Sequence, residues 1–187
     1  MMKMIIRRLL KLVSFALVFV VLFYACQFVF HYRWSQDEDL YTRNLDFENQ
    51  PSGSIDVIYF GTSEMYAAVA PVITYASEGI TGYNFAVTSK SAVTTYYQLL
   101  YALKHHTPQV VVCDFEALFS DSLPDTTETL YRKVYETMPD KEIKNQLLSE
   151  IMKLDPNQNY LSWKFPFLRY HSIWSELRPS NFSPDYR

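Results

Sequence analysis

Ile55-Asp56-Val57-Ile58-Tyr59-Phe60-Gly61-Thr62-Ser63-Glu64 is the stretch on which the fold turns. Apart from Asp56, its first six residues are β-branched or aromatic, the pattern of a short strand buried on both faces. Gly61 breaks the run, and Thr62 and Ser63 stand where a helix would begin. Glu64 to Ala76 reads as helical at its start, with Pro71 limiting how far the first helix runs.

Downstream, Gly79 to Tyr83 is a turn region and Asn84-Phe85-Ala86-Val87 a second short strand. Thr88 to Ser91 is a polar loop suited to capping the next helix, about Ala92 to His105, with Tyr96, Leu99, Leu100 and Leu103 at helical spacing. Thr107-Pro108 stops that helix. Val110-Val111-Val112-Cys113, the most apolar run of the domain, reads as a third strand ended by Asp114. Strands alternating with helices predict an α/β fold with a parallel, doubly wound sheet. Sites in such sheets form at the carboxyl ends of the strands. Here those ends carry Gly61-Thr62-Ser63, Ala86 with Thr88-Ser89, and Asp114-Phe115-Glu116.

Beyond Phe119 the pattern changes. Ser120 to Thr129 is acidic and hydroxyl-rich, Leu130 to Met138 and Lys141 to Leu154 read as helices split by Pro139, and Asp155-Pro156-Asn157 is a turn. Tyr160 to Trp174 is aromatic, and an irregular tail begins at Arg178.

Upstream, Leu12 to Phe30 carries no charge, and Ser14 and Gln27 are its only clearly polar members. At 1.5 Å per residue it nearly spans the roughly 30 Å hydrocarbon core of a bilayer. Lys3, Arg7, Arg8 and Lys11 precede it and put the N-terminus in the cytoplasm. A cleavable signal peptide has a shorter apolar run ending in small residues, whereas this one exits through Phe28-Val29-Phe30. Phe23 and Tyr24 are poor residues before a lipoprotein-type cleavage at Cys26. Residues 1–31 therefore read as a basic flank and single-pass signal anchor, residues 32–54 as a connector, residues 55–119 as the start of an α/β domain on the outer face, and residues 120–187 as a mainly helical and irregular insertion or tail.

The net charge of −3, without a basic patch beyond the anchor flank, argues against a nucleic-acid partner and leaves the lipid bilayer as the first expected one. Cys26 in the anchor and Cys113 in a strand are not expected to pair. Four scattered histidines and two separated cysteines show no metal-ligand spacing, and neither a metal nor a cofactor is expected. His105 and His106 end a helix, where histidine meets the last carbonyls; His171 reads as structural or on the surface.

Ser63 is the sharpest chemical candidate. A serine just past a buried strand, at a helix start, sits where backbone amides converge and the helix dipole favours negative charge. This is the setting a nucleophilic serine needs. The competing reading is that Ser63 or Thr62 merely caps the helix.

Residues Ile55 to Glu64 resemble the first sequence block of the SGNH (GDSL-like) hydrolase superfamily. The Gly61-Thr62-Ser63-Glu64 form is most similar to its membrane-anchored branch, typified by the D-alanyl transfer protein of teichoic acid synthesis, and to related polysaccharide O-acetyltransferases. Tyr83 to Ser89 resembles the second block, and Pro108 to Asp114 the third strand. The resemblance implies a flavodoxin-like sheet and Ser63 as a nucleophile that forms a transient acyl-enzyme. It also implies an oxyanion hole from the backbone amides of Ser63 and Ala86, a cell-envelope polymer or glycan as substrate, and a membrane-bound O-acyltransferase as partner. The chain departs from the family in three places: Ala86 replaces a glycine, Asp114-Phe115-Glu116 lacks the usual asparagine, and no Asp-x-x-His occurs. With only three strands in view, the simplest expectation is an extracytoplasmic serine acyltransferase or esterase of which this chain is the N-terminal part, inactive as given, the longer protein supplying the last strands and the Asp-His pair. The rival expectation is a non-enzymatic, membrane-tethered protein on a degenerate form of the fold that binds a glycan or envelope partner.

Overall fold

Val57–Phe60 forms β1, the middle strand of a three-stranded parallel sheet in the order β2-β1-β3. β2 is Gly82–Asn84 and β3 is Val110–Cys113, with Val57 level with both Gly82 and Val110. The computed structural model describes residues 2–30, 40–88, 91–114, 116 and 124–182. The expectations for Ser89, Phe115, Phe119 and the start of the acidic stretch fall outside these residues, as do residues 31–39 and the last five. The chain divides into two compact units, residues 34–158 and residues 1–33 with 159–187. The described residues make a mixed α/β protein, mostly helical, with one small parallel sheet and one N-terminal apolar helix.

In the first unit, Asp56 gathers the starts of all three strands. Its backbone carbonyl accepts from the amides of Gln109 (2.8 Å) and Val110 (3.0 Å). Its carboxylate accepts from the Thr81 hydroxyl (2.7 Å), the Thr81 amide (2.9 Å) and Gln109 Nε2 (2.9 Å). The lone charge of the first strand therefore sits at the amino edge, where its donors are.

The third strand has the expected bounds and is an edge strand, with Val110 50% exposed. β1, expected to be buried on both faces, buries Ile58 and Phe60 on one face and leaves Val57 and Tyr59 half-buried on the other. The second strand lies earlier than expected. Phe85, Ala86 and Val87 are fully buried, which gave them the look of a strand. The amides of Phe85 (2.7 Å to the Tyr59 carbonyl) and Val87 (3.0 Å to the Gly61 carbonyl) still reach the β1 side, while Asn84 Oδ1 accepts the Ala86 amide (2.9 Å) in an Asx turn.

The helices of this unit are α2 (Leu40–Glu48), α3 (Ser63–Ala68), α4 (Pro71–Glu78), α5 (Ala92–His105), α6 (Pro124–Thr137) and α7 (Lys141–Leu154). α2 corrects the reading of residues 32–54 as a plain connector. Leu40, Asn44 and Phe47 form one buried stripe at helical spacing. Phe47 packs on Phe85 (ring centroids 4.6 Å apart), Tyr83 (5.0 Å) and His106 (4.5 Å), and Phe85 stacks on Phe60 at 5.5 Å. Asn44 Nδ2 donates to the Thr137 carbonyl (2.9 Å), and the Tyr101 hydroxyl donates to the Asn44 carbonyl (2.9 Å).

α5 and α7 keep their expected bounds because local signals fix them. Ser91 and Thr94 form a reciprocal capping box at the start of α5, and Asp140 Oδ1 accepts two amides (2.9 Å each) at the start of α7. The buried face of α5 is not the apolar stripe. Thr94, Thr95, Tyr97, Gln98, Tyr101 and Ala102 face inward, while Tyr96 and Leu103 are exposed. The Tyr101 hydroxyl is satisfied by the Asn44 carbonyl, whereas the amide of Gln98 on the same face is buried without a hydrogen-bond partner among the described residues.

The other unit combines α1 (Met2–Val29), long and apolar enough to cross a membrane, with α8 (Tyr160–Lys164), α9 (Pro166–Tyr170) and 3₁₀ turns at His171–Glu176 and Pro179–Phe182.

Phe47→Ala is expected to cost about 3–5 kcal/mol in denaturant unfolding, because it empties the centre of the aromatic cluster. Asp56 carries a pH signature. The hydroxyl of Thr81, then its amide, hold the Asp56 carboxyl below its ordinary 3.8. A carboxyl depressed in the folded state stabilises above its unfolded pKa, and that contribution fades as pH falls through the folded value. The stability difference between wild type and Asp56→Asn should therefore be constant at neutral pH and shrink below about pH 4.

Candidate functional site

The carboxyl edge of the sheet is built around Gly61, which is buried and has no room for a side chain. A Cβ there would collide with the Asp114 carboxylate and the Met65 Cβ. Asp114 comes this close because it accepts the Thr62 amide (2.6 Å) and the Thr62 hydroxyl (3.2 Å). The same hydroxyl also donates to Glu116 Oε2 (3.2 Å). Two acids that follow β3 thus hold the loop that follows β1.

Thr62 is the N-cap residue of α3, but its side chain makes no capping bond, being engaged with the acids. Ser63 is the first residue of α3 and is exposed. Among the described residues its hydroxyl has no hydrogen-bond partner. Neither side chain therefore caps the helix. As at any helix start, the first amides of α3 have no intrahelical acceptor.

Ala86, expected to lend its amide to an oxyanion, is fully buried and donates that amide to Asn84 Oδ1. Asn84 is occupied on its other side as well, donating Nδ2 to the carbonyls of Val69 (2.9 Å) and Met65 (3.3 Å) at the end of α3. One side chain thus fixes both the end of α3 and the loop after β2.

Sequence reasoning missed three residues here. Arg43 of α2 donates to the carbonyls of Asn84 and Ala86 and lies over the Tyr66 ring at 5.5 Å. Lys133 of α6 donates to Thr88 Oγ1 (2.7 Å), in the loop after β2. Asn84 is the third. The cations lie more than 40 positions from the atoms they meet, and no local pattern announces them. Asn84 carried a readable signal, an Asx residue at a strand end, which its place in an apolar run obscured.

The tyrosines behind the site are held neutral. Burial pushes the Tyr83 phenol up to about 12, and its hydroxyl donates to the Arg43 carbonyl (2.5 Å). Burial, reinforced by the bond to Glu48, raises Tyr101 further. His106 meets a helix-end carbonyl, as expected of its position, but that of Phe47 in α2 (2.9 Å) rather than of its own helix. His105 faces Glu48 at 3.5 Å, and exposed His171 packs its ring on Phe167 in the other unit. Among the described residues, no histidine hydrogen-bonds Ser63, and no three His, Cys, Asp or Glu side chains gather as metal ligands. Comparison with protein-family models, with curated proteins and with solved structures finds no match.

Gly61→Ala is expected to lower the melting temperature by several degrees, since backbone or Asp114 must shift to admit the methyl. Ser63→Ala, at an exposed position without a capping bond, should change stability by less than about 0.5 kcal/mol. A loss near 1 kcal/mol in thermal unfolding would restore the capping role.

Proposed function

We propose that this chain is the N-terminal part of a membrane-anchored serine acyltransferase or esterase of the SGNH type, with Ser63 as its nucleophile, and is inactive until a downstream segment supplies the Asp-x-x-His base that it lacks. One observation carries the reading. Ser63 is exposed and free of a capping duty, at the start of α3 three residues past the central strand of a parallel sheet ordered β2-β1-β3. A loop so tight that it excludes a Cβ at Gly61 presents it. Such a serine attacks an acyl carbonyl carbon through Oγ, passes its proton to a base and expels the leaving group, and water or an acceptor hydroxyl then releases the acyl group. Helix-start amides, that of Ser63 among them, are the donors for the developing oxyanion. The Ala86 amide joins them only once Asn84 Oδ1 releases it. No residue of this chain is assigned as the base.

α1 supports the anchoring half of the reading. Lys3, Arg7, Arg8 and Lys11 at its start favour a cytoplasmic N-terminus and an extracytoplasmic site. The resemblance of the Gly61-Thr62-Ser63-Glu64 block makes an envelope polymer or polysaccharide the substrate class, with a membrane-bound O-acyltransferase as partner.

A second reading, a non-catalytic protein that binds a glycan or envelope partner, draws on two observations. The Ala86 amide is already donated, and the Asp114 carboxylate stands where the family offers an asparagine amide, so an oxyanion nearby would be repelled. A fluorophosphonate probe separates the two. Incubated in detergent or nanodiscs with the folded full-length protein, including the downstream segment that supplies the base, it is expected to add to Ser63, read by peptide mass, and to leave Ser63→Ala unlabelled. A folded protein that takes no label at Ser63 belongs to the binding reading.

A further inference from the structure

Neither reading uses the aromatic run after Tyr160 or the lone glutamine of the apolar helix, and in the second unit these two meet. Gln27 Oε1 accepts the amide of Phe167 (2.9 Å), in the first turn of α9, where no intrahelical acceptor exists. Phe165 packs edge-on against Phe23 (5.2 Å), Phe167 against Phe30 (5.4 Å), and Asn181 Nδ2 donates to the Val29 carbonyl (3.4 Å). The segment is thus fastened along the last two turns of α1. From Phe23 to Phe30 the helix rises about 10 Å, the depth to which interfacial helices sink into the boundary of headgroups and acyl chains.

What the segment turns outward is apolar. Tyr160, Leu161, Leu168 and Phe182 are exposed, and Trp174 is 71% exposed. Lys164 and Arg169 flank Pro166-Phe167-Leu168, on stems long enough to carry their charges to headgroups. Tryptophan and tyrosine beside cations at the end of an apolar helix are what a bilayer interface accommodates.

We propose that residues 160–182 form a lipid-facing collar, seated in the leaflet at the C-terminal end of α1 and held at fixed depth by Gln27. This rests on α1 crossing the membrane, and the occupant of the exposed face is the lipid surface. The collar makes Gln27 a positioning residue: it sets where the segment lies without touching lipid chemistry itself.

The test uses the full chain in phosphatidylcholine–phosphatidylglycerol vesicles. Trp34→Phe is compared with Trp34→Phe/Trp174→Phe, so that the difference in emission is Trp174 alone and buried Trp163 cancels. Lipids brominated near the headgroup are expected to quench at least half of the Trp174 signal, deep-brominated lipids less, and aqueous iodide little. Gln27→Leu, which keeps α1 apolar, should roughly halve the shallow quenching while the protein still floats with the vesicles. Iodide quenching of Trp174 without lipid quenching, in protein that floats, overturns the collar and leaves the anchor standing. Shielding from both quenchers assigns the face to a protein partner or a second copy and likewise overturns it. Failure to float overturns the anchor reading and the collar with it.

Discussion

The Asp56 carboxylate and carbonyl hold together strands that have no turn to join them. Parallel strands cannot be closed by hairpins, so their starts must be collected from distant places in the chain. Asp56 reaches Thr81, 25 positions away, and Gln109, 53 positions away. At the opposite edge Asp114 closes on Thr62, across 52 positions. β1 is only four residues long, and these two clamps bracket it. The place of Gly61, and of Ser63 beyond it, follows from them.

Where local chemistry decides, the sequence could be read. Ser91 with Thr94 begins α5 and Thr107-Pro108 follows its end; Asp140 begins α7; the bounds of both are as expected. The alternation of strand and helix announced parallel pairing. Other features depend on contacts between distant residues. α2 was hidden because its buried positions Leu40, Asn44 and Phe47 lie in a charged stretch, and nothing in them tells that Tyr83, Phe85 and Tyr101 wait for Phe47. Phe85 to Val87 are buried and still send two amides to the β1 side, which gave them the look of a strand, but the regular pairing stops at Asn84, whose side chain takes the Ala86 amide. The inward face of α5 escaped notice because tyrosine and threonine, not leucine, supply it.

The candidate site divides in the same way. The junction of Gly61, Thr62 and Ser63 was legible, down to the need for glycine. The duties around it were not. Thr62 turned out to serve the acids rather than the helix, which is why Ser63 stands unencumbered. The same acids weigh against an anion forming beside them, so the contacts that build the loop also limit its chemistry. Arg43 and Lys133 bring positive charge to the loop after β2.

The bond between Gln27 and Phe167 joins residues 140 positions apart, and a whole compact unit lies between them in the chain. A ribosome that adds about 5–20 residues each second takes on the order of ten seconds to make that interval. During it, Gln27 Oε1 has no Phe167 amide to accept. The unit that holds α1 is therefore completed only after the whole of residues 34–158 has been made, whereas that intervening unit closes on contacts within one continuous stretch of chain.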